Sequence, residues 1–155
     1  MTQKLLYIRT NNKRAKKAKL SINKINRMLE YIDDYVQKER YNAYKRYRKH
    51  YGEPKVGLRR AVFVDGTTVL KIPLNSDGEK HNLKEAYWNN KEIPLAPCWL
   101  KKDEYGFTIL VMEKVTPIWS LLESNPTKNL PKWCEFVDNF QVGYRSSGEL
   151  VAYDL

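Results

Sequence analysis

Four polar residues in the last two-thirds of the chain have the types and order that could hold a phosphorylated ligand and a metal ion. Lys71 lies within Val-Leu-Lys-Ile, Glu85 in a helical pattern, Asn139 before Phe-Gln-Val, and Asp154 after Val-Ala-Tyr. A lysine can neutralise phosphate, a carboxylate can hold that lysine, and amide and carboxylate oxygens are ligands for Mg²⁺. Each residue could instead have an ordinary structural role. Lys71 could be a surface lysine and Glu85 a solvated partner of Lys84. Asn139 could cap a turn, and Asp154 could be a solvated carboxylate.

The hydrophobic pattern predicts three hairpins and short helices that would carry these side chains. Asp65-Gly66 is the strongest turn dipeptide and lies between two strand-like runs, so Lys71 is expected on the second strand of a hairpin. A helix from Lys80 to Lys91 would carry Glu85, and another is predicted from Thr116 to Glu123. The predicted strands are 55–64, 67–72, 98–102, 107–113, 140–144 and 149–153, with a loop at 73–78.

Residues from about 56 to 155 resemble a minimal protein-kinase-like domain of the sort that bacteriophages encode, because the motifs follow the family's order. The run 57–63 looks like the end of a phosphate-covering glycine loop, and 69–72 looks like the strand whose lysine holds the α- and β-phosphates. Glu85 is similar to the helix glutamate that pairs with that lysine. The run 109–115 is similar to the last small-lobe strand and the hinge that contacts adenine.

The resemblance implies a role for each matching residue, with Mg-ATP as the cofactor of an intact site. Asn139 and Asp154 would be the Mg²⁺ ligands, since 139–142 resembles the segment after a catalytic loop and 151–155 the strand into a metal-binding aspartate. The residues that would contact the nucleotide are Lys71, Glu85, Glu113 and Val115.

The chain departs from the family where the catalytic base should be. Kinases place a carboxylate five residues before the asparagine, and here that position is Cys134, which cannot accept a proton as a carboxylate would. Asp138 would need a local rearrangement to replace it. Only Gly52 and Gly57 supply the glycine loop, and about 20 residues separate the hinge from Asn139, too few for a normal large lobe. No activation segment or substrate-binding lobe is recognisable. We therefore assign no catalytic residue.

Composition and charge divide the chain into a basic arm and a mildly acidic body. Its 155 residues carry a net charge of +10, of which residues 1–60 contribute +13 and residues 61–155 contribute −3. Two cysteines and two histidines make no disulfide framework or metal set. This cysteine usage leads us to expect a cytoplasmic protein with free thiols. No apolar run approaches the ~20 residues of a membrane helix, so we expect no membrane partner.

The arm has a helical pattern without Gly or Pro from residue 13 to 51. Ile22, Ile25, Leu29, Ile32 and Val36 follow each other at spacings of 3, 4, 3 and 4, which puts them on one face. We expect one long helix, or two with a bend near residues 37–42, ended by the Gly and Pro at 52 and 54. The weak alternation of residues 1–9 predicts a short strand.

Two basic clusters in this arm are the candidate macromolecule-binding surface. They would contact nucleic acid phosphates or an acidic protein surface. The alternative is a solvated face on a helix whose apolar stripe packs on the body. The residues are Lys13, Arg14, Lys16, Lys17 and Lys19 in one cluster and Lys45, Arg46, Arg48 and Lys49 in the other.

The sequence predicts an α+β fold, with a basic helical segment at 1–54 before a kinase-small-lobe-like domain at 55–155 that has a small antiparallel sheet and one packed helix. The favoured function is a catalytically inactive, kinase-like protein that binds and inhibits or redirects a host macromolecule. The alternatives are a minimal ATP- and Mg²⁺-dependent protein kinase and a nucleic-acid-binding module on a kinase-derived scaffold. The target and the oligomeric state are not predicted.

Overall fold

The computed structural model describes residues 3–122 and 124–155, without the side chains of residues 3–15 and 17–21. Its contacts divide the chain into two compact units, Met1–Glu39 and Arg40–Leu155. The domain boundary predicted from the sequence was residue 54, and the difference arises because the end of the long helix packs on the second unit's own sheet.

The first helix, α1, is continuous from Gln3 to Tyr51. The short strand predicted for residues 1–9 is therefore wrong over residues 3–9. The alternation of apolar and polar residues there is weak, and the segment continues into the helical pattern without Gly or Pro. The helix ends because Gly52 has a φ of 87° and donates its N–H to the Arg48 carbonyl at 2.9 Å. Among the described residues, no helix is long and apolar enough to span a membrane.

The main sheet of the second unit has five antiparallel strands in the order β1-β2-β3-β5-β4. The Asp65-Gly66 hairpin and the hairpin between β4 and β5 are confirmed, with Lys71 paired to Val62 and Leu110. The strands are β1 Lys55–Val56, β2 Arg60–Asp65, β3 Thr68–Pro73, β4 Cys98–Lys102 and β5 Thr108–Glu113.

The helix that carries Glu85, α2, extends over Ser76–Ala86 and contacts β3, β4 and β5. The predicted bounds of 80 and 91, and a loop reaching residue 78, are wrong. The helix begins earlier because the Asn75 side chain accepts a hydrogen bond from the Gly78 N–H at 3.0 Å, and Asp77 and Glu79 suit its first turn. Sequence periodicity alone did not reveal this cap.

A second sheet of three antiparallel strands, in the order β6-β7-β8, contains the third predicted hairpin. The helix predicted for 116–123 is wrong over residues 116–122, because Thr116 and Pro117 pair with β7 and a single helical turn, Ile118–Ser120, follows. Residue 123 lies outside the described residues. The α+β class is confirmed, and the described residues form two α-helices and two antiparallel sheets instead of the single small sheet expected. The strands are β6 Thr116–Pro117, β7 Val142–Tyr144 and β8 Leu150–Ala152.

Both faces of the main sheet are covered within the second unit. On one face, the rings of Tyr44, Tyr47 and Tyr51 from α1 lie 5.8–6.3 Å from the ring of Phe63. On the other face, α2 and the β8 hairpin cover Lys71 and its neighbours, and Val151 packs with the strand residues there. Because side chains alternate along a strand, Lys71 points away from the tyrosine face.

The close approach of α2 to the sheet makes Gly78 a test of this packing. A Cβ at Gly78 would lie 2.2 Å from the Arg59 carbonyl oxygen, whereas a Cβ at Gly57 would meet nothing nearer than 3.5 Å. Alanine normally stabilises a helix relative to glycine, but here the clash reverses the sign. We expect Gly78→Ala to lower the free energy of unfolding by about 1–3 kcal/mol in urea titrations. Gly57→Ala is the control, and equal losses for both would contradict the packing described.

Candidate functional site

The structure brings together three of the four residues first singled out. Lys71 on β3 places its Nζ 2.9 Å from Oε2 of Glu85 on α2. The same Nζ donates to the Tyr153 carbonyl oxygen and lies 3.8 Å from Oδ1 of Asp154, beyond the end of β8. Lys71 and Glu85 are almost fully buried, with 3% and 1% of their surface exposed. One buried ion pair therefore joins the sheet to α2 and to the C-terminal hairpin.

Arg60 at the start of β2 completes the cluster. Its Nη2 lies 2.8 Å from Oε1 of Glu85 and 2.5 Å from Oδ1 of Asp154. The two cations and two carboxylates, which we call the charge quartet, are Arg60, Lys71, Glu85 and Asp154. With all four groups ionised, the quartet has no net charge.

Sequence reasoning did not give Arg60 and Asn82 a role in this site. Val62 pairs with Lys71, so Arg60, two residues earlier on β2, shares the face of Lys71. Asn82 precedes Glu85 by three residues, which places it on the same face of α2. The spacing of Arg60 from Val62 and that of Asn82 from Glu85 were the sequence signals that could have assigned both residues to the site.

Asn82 anchors α2 by hydrogen bonds to two strands. It is fully buried, and its Nδ2 donates to the carbonyl oxygens of Lys71 at 3.0 Å and Thr108 at 2.9 Å. Its Oδ1 accepts a hydrogen bond from Arg60 Nη1 at 3.3 Å. Each polar atom of this buried amide thus has a partner, and the amide fixes the position of the helix from which Glu85 projects.

Electrostatics hold Glu85 in its ionised form. Burial alone would raise the pKa of Glu85, but the hydrogen bond from Arg60 and the charge of Lys71 outweigh it and lower the pKa to about 2. Burial lowers the pKa of Lys71, and the Glu85 carboxylate opposes that shift. Burial also raises the pKa of Asp154, against the charge of Lys71. Glu85 is therefore the carboxylate whose charge the quartet most firmly maintains.

The described contacts do not include Asn139 in the quartet. Its side chain is exposed, its φ is 51°, and it borders a cavity of about 610 Å³ whose lining contains no quartet residue. Within the described part of the chain, no group of three or more His, Cys, Asp or Glu could hold a metal ion. The predicted pairing of Asn139 and Asp154 as Mg²⁺ ligands stays a prediction.

Cys134, at the position of the missing base, is a core residue. It is fully buried with Ile93, Ile118, Val137 and Val142, and burial raises the pKa of its thiol. An uncharged thiol packed among apolar side chains is not placed to take a proton from a substrate hydroxyl. Asp138, the suggested substitute, is exposed.

The predicted hinge uses several of its polar groups internally. The Glu113 carboxylate accepts hydrogen bonds from Arg145 at 3.1 and 3.3 Å, and the Arg145 bond lowers its pKa ahead of other causes. The Glu113 N–H donates to Pro97 and the Lys114 N–H donates to Thr67. Val115 is half-buried in the core. The Glu113 carboxylate and the N–H groups of Glu113 and Lys114 thus already have partners within the chain.

The second basic cluster lies on an exposed part of α1. Arg46 Nη1 donates to the Tyr105 hydroxyl at 2.7 Å, and Arg48 pairs with Glu53. Lys45 lies 4.8 Å from the centre of the Tyr41 ring, and Lys49 is exposed. In the first cluster, Lys16 is exposed, and the side chains of Lys13, Arg14, Lys17 and Lys19 lie outside the described residues.

No protein-family model, curated protein or solved structure matches this chain.

The burial of the quartet predicts that neutralising Glu85 lowers the free energy of unfolding more than neutralising Glu113 does. Glu85→Gln leaves Arg60 and Lys71 short of a counter-charge in a buried place, and we expect it to lower the free energy of unfolding by about 3–5 kcal/mol. Glu113→Gln breaks a pair whose side chains are 24% and 27% exposed, and its effect should be much smaller. Urea unfolding followed by tryptophan fluorescence measures both, and equal losses would show that the quartet is not the dominant electrostatic contact.

Proposed function

We propose that the protein is a catalytically inactive, kinase-derived binding protein that uses the basic face of its long helix to bind an acidic surface on a host macromolecule. The observation that carries this proposal is the self-neutralised charge quartet. A working nucleotide site would need Lys71 directed at phosphate and Asp154 directed at a metal ion. Arg60 instead bonds to both Glu85 and Asp154, so the charges that a nucleotide would engage already engage one another.

The kinase-derived part of the proposal draws support from topology. Along the chain, β3 with Lys71 is followed by α2 with Glu85 and then by β5, which is the order of elements that the resemblance requires. The Lys71–Glu85 pair lies between the strand and helix that the resemblance assigns to it. Shared architecture does not imply shared activity, and the buried Cys134 favours a role without phosphoryl transfer.

The basic helix supplies the binding surface of the proposal. Lys16, Lys45 and Lys49 are exposed, and residues 1–60 carry the whole positive excess of the chain. Such a surface attracts phosphates or clustered carboxylates over about a Debye length, which is ~8 Å at physiological salt. The partner class is therefore an acidic one, either a protein or a nucleic acid.

The neutralised quartet predicts that Mg-ATP does not stabilise the protein. A ligand at a concentration 100 times its Kd would add about 2.7 kcal/mol of stability, so binding would raise the melting temperature measurably. We expect no rise with Mg-ATP relative to Mg²⁺ alone. A rise that disappears in Lys71→Met would overturn this expectation and favour the minimal kinase.

Binding through the basic helix predicts a specific salt dependence. With labelled duplex DNA as the probe, removing two contacting charges in Lys45→Gln/Lys49→Gln should weaken binding and reduce the slope of log affinity against log salt by about two. Lys91→Gln/Lys101→Gln changes net charge equally at exposed positions of the body and is the matched control.

Polyglutamate replaces DNA in a parallel titration and represents an acidic protein surface. Tighter binding of polyglutamate than of DNA at equal salt would favour the protein partner, and the reverse would favour the nucleic-acid-binding module. If the helix pair and the body pair lower affinity equally for both probes, the helix is not the binding surface.

A further inference from the structure

One face of α1 between Ile22 and Val36 is an apolar stripe open to solvent. Ile22, Ile25, Leu29 and Ile32 expose 49–56% of their surface, and Val36 is half-buried. We call these five residues the apolar seam. Contiguous apolar surface of this kind is rarely left uncovered on a soluble protein and usually marks an interaction site.

The spacing of the seam residues indicates that the partner that covers them is a helix. Intervals of 3, 4, 3 and 4 residues have a mean period of 3.5, which keeps apolar side chains facing a second helix as the two supercoil. A helix lying on a sheet does not require so strict a period, so the pattern points to a partner helix.

The charge around the seam argues against nucleic acid or an anionic membrane as its occupant. Segment 22–36 carries two cations, Lys24 and Arg27, and three carboxylates, Glu30, Asp33 and Asp34, so its net charge is −1. The basic clusters lie outside it, at 13–19 and 45–49. A phosphate-bearing surface would be attracted to those clusters and not to the seam.

The apolar spacing and the small net charge of segment 22–36 are compatible with a second copy of this chain as the partner. In a parallel alignment each seam residue meets its own counterpart, so every pair in the core is apolar. The flanking positions place Met28 of one copy beside Asp33 of the other, which brings no like charges together at the seam. Two copies can therefore meet along this nearly neutral segment although the whole chain carries +10.

We propose that the apolar seam is a self-association surface, through which segment 22–36 forms a coiled coil with the same segment of another copy. The seam does not include the basic clusters, so the proposal is independent of the binding function. Self-association would present two or more basic faces together and raise their effective concentration at one acidic target.

The test is the mass of the full-length protein in solution. After nuclease treatment, sedimentation equilibrium over a wide concentration range should give a multiple of 18.4 kDa for the wild type. Ile25→Asp/Ile32→Asp places carboxylates in the seam and should shift the mass to 18.4 kDa. Tyr31→Asp is the matched control, because Tyr31 is 73% exposed, lies on the same turns outside the seam, and receives the same kind of substitution.

A wild type that stays at 18.4 kDa at every concentration overturns the proposal, as does an association that Tyr31→Asp abolishes as fully as the seam variant. Folding of the body is checked independently, since all four tryptophans lie within residues 40–155 and their fluorescence reports on that unit alone. If the seam variant loses the tryptophan signal, self-association is tested instead by thermal unfolding of the wild type, followed by the circular dichroism of its helices. Its midpoint should rise with concentration, and an invariant midpoint rejects self-association.

Discussion

The buried carboxylate of Glu85 is the constraint on which the second unit depends. A charge with 1% of its residue surface exposed must be neutralised locally, and two cations from two different strands do so. Arg60 comes from β2 and Lys71 from β3, while Asp154 joins from beyond β8. Charge balance around Glu85 therefore joins α2, two strands of the main sheet and the last residues of the chain, and the Asn82 amide adds neutral hydrogen bonds that anchor α2.

That balance also bears on function. In a phosphate-binding site the same residue types need an external ligand to satisfy them, whereas here Arg60 and the Tyr153 carbonyl satisfy them from within the chain. A nucleotide that engaged Lys71 and Asp154 would have to compete with the Arg60–Asp154 ion pair and with the hydrogen bond from Lys71 to the Tyr153 carbonyl oxygen. The quartet is therefore an internally balanced part of the core, while the basic clusters at 13–19 and 45–49 lie elsewhere in the chain.

The long helix separates two physical roles along its length. Residues 43–51 bury Ala43 and pack three tyrosines around Phe63, which joins the helix to the sheet of its own unit. Segment 22–36 exposes its apolar side chains instead. Basic residues lie on either side of that segment in the sequence, so the surface proposed for an acidic partner and the surface proposed for self-association consist of different side chains.

Local patterns were sufficient to predict the hairpins, because Asp65-Gly66 and the alternating runs around it specify a turn and its strands without help from distant residues. The resemblance to a kinase-like domain, and not a local pattern, predicted that Lys71, Glu85 and Asp154 belong to one site. Local patterns failed for the start of α2, where the Asn75 cap outweighs periodicity, and for Thr116–Pro117, where pairing with β7 replaces a helix.

By itself, the sequence determined the residue types of the site, the basic excess of the arm and the seven-residue period of its apolar stripe. Only the tertiary structure decided that Arg60 completes the quartet, that Asn82 anchors α2, that Cys134 is a core residue, and that the seam remains exposed. The physical reason is that burial and charge compensation arise between residues distant in the chain: Arg60 and Asp154 meet across a separation of 94 residues. No local pattern encodes such a contact.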